Sequence, residues 1–108
     1  MSTRTDIVLE SYKTSAAEVF RKYGTEDMTF YSAHNGLDLQ GRDAAADELE
    51  KALGGKPTMQ LHGEPVEQGN FVVTFAQATL PSGEERELCG VYRFTEDDKI
   101  SGVWTMRG

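Results

Sequence analysis

The sequence predicts an α+β domain, a mostly antiparallel sheet with two helices packed on one of its faces. Three observations carry this reading. Residues 56–107 hold four stretches rich in β-branched and aromatic residues, separated by turn-forming clusters. Asn35-Gly36 sits between two further short strand patterns, a strong hairpin signal because both residues tolerate positive φ. Two other stretches, around 6–23 and 41–53, carry their apolar residues at three- and four-residue steps, the period of a helix.

Taken in order, residues 1–5 are polar and expected to fray. From Asp6 to Tyr23, the residues Val8, Leu9, Tyr12, Ala16, Val19, Phe20 and Tyr23 form one apolar stripe. Thr5 or Asp6 can cap its start, Thr14-Ser15 is a weak point that could bend it, and Gly24 stands where a left-handed C-terminal cap is expected. Residues 27–34 and 37–41 flank the Asn-Gly turn. Pairing His34 with Leu37 puts Met28, Phe30, Ser32, His34, Leu37 and Leu39 on one face. The second helix carries a narrow stripe of Ala45, Ala46, Leu49, Ala52 and Leu53, with Asp43 at its positive end and Gly54-Gly55 as its stop. The last four strands are expected over 58–68, broken by Gly63 and Pro65, then 70–80, 86–94 and 99–107.

The register of these strands decides which face meets the helices. If Leu80 faces Glu85 and Phe94 faces Ile100, then Phe71, Val73, Phe75, Tyr92, Phe94, Ile100 and Trp104 share a face. That aromatic face is expected to pack on the helices, with Gly90 and Gly102 leaving room for the rings of Tyr92 and Trp104. The opposite face, with Val72, Ala76, Cys89, Val91 and Val103, is flat and apolar and has no helix left to cover it. A homodimer through it is therefore expected, with Arg93 and Arg107 toward its rim.

Composition narrows the classes of function. A chain of 108 residues is enough for one domain, read here as spanning 1–108. The net charge of −7 argues against nucleic acid and anionic membranes, both of which attract basic surfaces. There is no bilayer-spanning apolar run and no signal-peptide pattern, so the cytoplasm is the default expectation, and one cysteine cannot form an intrachain disulfide. His34 and His62 are far apart and no His-x-x-x-His or Cys-x-x-Cys occurs, so no metal and no cofactor are expected. His62 falls with Gln60 and Glu64 on a solvated face, and Cys89 reads as a small buried or interface side chain.

Phe30-Tyr31-Ser32, Gly41-Arg42-Asp43-Ala44-Ala45 opening a helix, Gly69-Asn70-Phe71-Val72-Val73, and Tyr92-Arg93-Phe94 with Asp98-Lys99-Ile100 together resemble the nuclear transport factor 2-like superfamily, which includes SnoaL-like proteins and ketosteroid isomerases. The resemblance spans residues 6–107. It implies a strongly curved, cone-like sheet with helices on its concave face, a pocket between them, and homodimers through sheet faces. The N-terminal helical region is shorter than the family's pattern. At the isomerases' catalytic aspartate stands Ser32, at their oxyanion-holding aspartate stands Gly90, and Tyr12 stands at their helical tyrosine. Proton abstraction beside a carbonyl needs a base and an oxyanion donor, so steroid-isomerase chemistry is not expected.

Three functions stay open at this level. The first is a protein binding a small apolar or aromatic ligand in a pocket lined by Tyr12, Phe20, Phe30, Phe75, Tyr92 and Trp104. The second is a SnoaL-like metal-independent isomerase, cyclase or hydrolase, using His34 with Tyr12 or Ser32. The third is a dimeric interaction module with a filled pocket. A convergent polar pair on the concave face separates the second from the first.

Overall fold

A computed structural model describes residues 3–33, 36–53, 58–80 and 82–107. His34, Asn35 and Gly54-Gly55 lie outside the described residues. Three helices, α1 (Thr3–Lys13), α2 (Ala16–Tyr23) and α3 (Arg42–Leu53), pack on a curved sheet of seven strands. The strands are β1 (Gly24–Ser32), β2 (Leu37–Gln40), β3 (Thr58–Leu61), β4 (Val66–Gln68), β5 (Phe71–Thr79), β6 (Glu85–Phe94) and β7 (Ile100–Arg107).

The expected helix over 6–23 is two helices, broken at Thr14-Ser15. Ser15 is a cap: its hydroxyl accepts from the Glu18 amide at 3.1 Å, opening a new helix in an S-x-x-E sequence. Thr14 meanwhile donates its hydroxyl to the Glu10 carbonyl of the preceding turn, at 3.0 Å. The N-terminus does not fray at residue 5. Arg4 donates to Asp98 Oδ1 at 2.7 Å, to the Thr95 carbonyl at 2.9 Å, and to the Gly69 carbonyl and Asn70 Oδ1 at 3.1 and 3.2 Å. Its guanidinium also lies 5.8 Å from the centre of the Phe94 ring. One side chain thus pins α1 to two turns of the sheet and fixes where Tyr12, two turns further along, comes to lie.

The sheet order is β2-β1-β7-β6-β5-β3, with β4 also pairing β5. All pairs are antiparallel except β1 with β7. In the first hairpin Ser32 stands opposite Leu37 and Phe30 opposite Leu39. Met28, Phe30 and Ser32 are buried while Tyr31 is exposed, so the expected facing holds there.

The register of the last strands differs from expectation, and the difference turns β5 and the part of β7 beyond Ser101 over to the opposite face, while β6 keeps its expected facing. Leu80 pairs with Glu84, not Glu85: its amide donates to the Glu84 carbonyl at 2.8 Å, and Gly83 closes the loop at φ 90°. Between β6 and β7, Phe94 does face Ile100, but the next pair is Arg93 with Gly102. Ser101 is an extra residue, a β-bulge, and its hydroxyl is tied to Arg93 at 3.0 Å and to the Arg93 carbonyl at 3.2 Å. Because side chains alternate, a slip of one residue moves a whole strand's set to the other face.

Val72, Ala76 and Val103 are accordingly in the interior, each no more than 1% exposed, and cannot form an outer contact face. Phe71, Val73, Phe75, Cys89, Val91, Trp104 and Met106 share the convex face instead, where Phe71, Phe75 and Met106 are exposed. Tyr92, Phe94 and Ile100 do face the helices as expected. The core is built from Ile7 and Val8 of α1, Val19 and Phe20 of α2, Ala45, Ala46 and Leu49 of α3, and Met28, Phe30, Val72, Tyr92, Phe94, Ile100 and Val103 of the sheet. Phe20 and Phe30 meet at its centre, their ring centroids 5.5 Å apart.

Candidate functional site on the concave face

Successive rows across the sheet differ in chemistry. The row Val72, Tyr92, Val103, Phe30 and Leu39 lies under the helices and belongs to the hydrophobic core. The next row reads Thr74, Gly90, Thr105 and Ser32, a band of small and hydroxyl-bearing residues on four adjacent strands, with Leu37 of β2 at its end. Beyond it stand Leu61, Ala76, Leu88 and Arg107, then Met59, Ala78 and Arg86. Ala76 and Ala78 are buried but lie outside the core cluster, so the tightly packed interior ends at the hydroxyl band.

The C-terminal turn of α1 meets this band. Tyr12 Oη is 2.7 Å from Thr74 Oγ1, and Ser11 Oγ is 3.2 Å from Tyr92 Oη. Ser11 also donates to the Val8 carbonyl at 2.6 Å, which leaves its oxygen to accept from Tyr92. Gly90 makes room for this group. A Cβ there would lie 2.9 Å from Thr74 Oγ1 and 3.8 Å from the Tyr12 hydroxyl. Burial raises the pKa of Tyr12, partly opposed by its hydrogen bond to Thr74. Burial also raises that of Tyr92, and neighbouring Tyr12 pushes it further. Both phenols stay protonated near neutral pH and act as hydrogen-bond donors, not bases. Every described polar side chain of the band is a neutral hydroxyl.

Of the residues singled out in the sequence, Tyr12, Tyr92 and Ser32 lie on the concave side, Tyr12 against Thr74 of β5 and Ser32 three strands away on β1. Ser32 is fully buried beside Thr105. Phe20 and Phe30 are on that side too, but as packed core beneath the band. Phe75 and Trp104 are on the convex face, displaced by the one-residue slip and the bulge. The Trp104 ring lies over Gly102, where a Cβ would come within 2.8 Å of it, and Arg93 stacks on it at 5.3 Å. His34 lies outside the described residues. His62 is exposed, its amide donating to the Phe75 carbonyl at 2.8 Å. Among the described residues no three His, Cys, Asp or Glu side chains converge as metal ligands. No helix of the described residues is long and apolar enough to cross a membrane. Thr74, Thr105 and Ser11 were missed in the sequence. Ser11 had a signal as the neighbour of Tyr12 at the end of the first helical turns, whereas Thr74 and Thr105 become legible only with the correct strand register.

No family model and no curated protein matches the sequence. Solved structures do match the fold. A protein of the SnoaL-like family from Agrobacterium tumefaciens superposes with a TM-score of 0.78 at 16% identity, over 98% of this chain and 95% of that one. A cystatin-like-fold bacterial protein from Silicibacter pomeroyi gives 0.82 at 14% identity, over 100% of this chain and 75% of that one. The chain has the nuclear transport factor 2-like fold. SalBIII, an epoxide hydrolase/cyclase-like enzyme in pyran ring formation in salinomycin, shares it with a TM-score of 0.76 at 18% identity, over 97% and 90% of the two chains. Within this nuclear transport factor 2-like cone the hydroxyl band crosses the concave wall, and α1 closes over one end of it.

Proposed function

We propose that the protein binds a largely apolar small molecule on its concave face, with an uncharged oxygen of the ligand meeting Tyr12 and Thr74. The observation that carries this is the 2.7 Å Tyr12–Thr74 pair in a band whose described polar side chains are all hydroxyls. Two hydroxyls can reorient to donate to or accept from one ligand oxygen, whereas a convergent pair of neutral hydroxyls supplies no base for proton abstraction and so does not by itself favour an enzyme. Nile red, neutral and carbonyl-bearing, serves as a probe. Its fluorescence is expected to report micromolar binding to the wild-type protein, weakened about three- to tenfold in Tyr12→Phe by loss of one hydrogen bond. Absence of binding to the wild-type protein overturns the reading.

A second reading is enzymatic, an isomerase, cyclase or hydrolase with His34 as general base. It draws on the SnoaL-like protein and the epoxide hydrolase/cyclase-like SalBIII that share the fold, and on His34 following Ser32, the last residue of β1, by two positions. Turnover that survives His34→Ala would remove that residue from the mechanism.

The convex face supports a homodimer. Phe71 and Met106 are each 44% exposed and Phe75 50%, and they share this face with Val73, Val91, Cys89 and Trp104. A patch of that kind needs a cover, and a flat twisted sheet is covered well by its own copy about a twofold axis. This sets aside Val72, Ala76 and Val103 and keeps Cys89 and Val91. Phe75→Glu is expected to give monomer by light scattering where the wild-type protein is a dimer. A monomeric wild-type protein at micromolar concentration contradicts it.

A further inference from the structure

Past the hydroxyl band, the concave wall continues as an apolar shelf of Met59, Leu61, Ala76, Ala78 and Leu88. Two arginines stand on that same wall. Arg107 is the strand partner of Leu88, and Arg86 is the partner of Ala78. Both reach Glu84: Arg86 Nε and Nη2 lie 3.4 Å from its two carboxylate oxygens, and Arg107 Nη2 lies 3.8 Å from one of them. Among the described residues Glu84 is the one carboxylate that either arginine pairs with. Neighbouring Glu85 and Glu87 project from the opposite face of β6, where Glu85 accepts from Gln77 at 2.8 Å. Two guanidiniums therefore share one carboxylate at loose distances, with an apolar surface leading away from them toward Tyr12 and Thr74.

We infer that the ligand is a monoanionic amphiphile, a medium-chain carboxylate whose acid group is held by Arg86 and Arg107 and whose chain lies along the shelf. The inference rests on the binding reading above and adds to it the charge of the ligand's far end. Charge complementarity selects this occupant, since among the described residues two arginines face the one carboxylate of Glu84. Guanidiniums suit a carboxylate because their planar donors match its two oxygens. Spacing is compatible as well. At about 3.4 Å per residue along a strand, Arg107 is roughly 7 Å beyond Thr105 and Arg86 roughly 14 Å beyond Gly90. A chain on the order of 10 Å long thus spans from the acid site to the hydroxyl band, where a second oxygen, if the ligand carries one, meets Tyr12.

The experiment compares decanoate with methyl decanoate by titration calorimetry at low salt. The wild-type protein is expected to bind decanoate about tenfold more tightly than its neutral ester, the size of one charge-assisted hydrogen-bond set. The double variant Arg86→Gln, Arg107→Gln is expected to bind both equally, at the wild-type affinity for the ester. Glu84→Gln, which removes the competing carboxylate, is expected to strengthen decanoate binding. These side chains are partly exposed, so the variants are expected to fold, and circular dichroism is the check on that. Equal binding of acid and ester to the wild-type protein, or a preference that survives in the double variant, overturns the inference while leaving ligand binding intact. Failure of decanoate, methyl decanoate and Nile red alike overturns the binding reading and this inference together.

Discussion

Phe20→Ala is expected to destabilise the protein by about 3–5 kcal/mol, the cost of emptying a fully packed aromatic site. Phe20 has no exposed surface, and its ring meets Phe30 at the centre of the core. It is also a principal contact by which α2 is held to the sheet, so neighbouring groups cannot collapse into the space without moving the helix. A domain of this size has about 5–15 kcal/mol of total stability, so the loss is a large fraction of it. The urea midpoint should fall with little change in slope, and thermal unfolding should come roughly 10 °C or more earlier. A midpoint near that of the wild-type protein would contradict the core assignment.

Gly24→Ala carries the next largest effect, about 1–3 kcal/mol from overpacking. The backbone there is ordinary, at φ −73° and ψ 146°, so the objection is spatial and not conformational. A Cβ would stand 2.5 Å from the Phe20 carbonyl oxygen and 2.6 Å from Met28 Sδ. The methionine can turn aside, but the carbonyl accepts the Gly24 amide that ends α2 and is held by it. Relief therefore requires α2 and β1 to part. Chemical denaturation reads the effect directly, and a neutral or more stable variant would show that this junction yields.

The same glycine illustrates how much could be read from the chain. Its place at the end of a helix was legible, since the stripe ends at Tyr23. Its left-handed conformation was expected and is absent, because the strand begins at once and the glycine's task is to let helix and strand approach. Strand and helix positions were legible in the same way, through periodicity and turn residues. Ser15 as a helix cap is legible in the S-x-x-E pattern, which begins a second helix where the unbroken apolar stripe suggests only a bend. Register was not legible. It turns on Gly83 closing a hairpin one residue tighter than expected and on Ser101 bulging out of β7, two backbone events with no distinctive side-chain pattern. Tyr12, Tyr92 and Ser32 kept their places because their faces do not depend on those two errors in combination. Phe75, Trp104 and the proposed contact residues Val72, Ala76 and Val103 did not, and with them went the identity of the outer face. Thr74 and Thr105 gained their place on the concave wall by the same exchange.

The parallel pairing of β1 with β7 has a consequence for the order in which the molecule is made. The middle of the sheet joins the end of the first strand to the last: Ser32 lies beside Thr105 and Phe30 beside Val103. As the chain emerges from the ribosome, β1 and β2 can form their hairpin early. The edge of β1 and the apolar side of Phe30 then wait for β7, which appears only after every other strand. Arg4 likewise waits for the turn at Thr95 and Asp98 before α1 can be pinned. Contacts this distant in sequence make for slow closure, and a strand left unpaired through synthesis is the species most exposed to association with other chains. The fold is thus completed from its centre, and late.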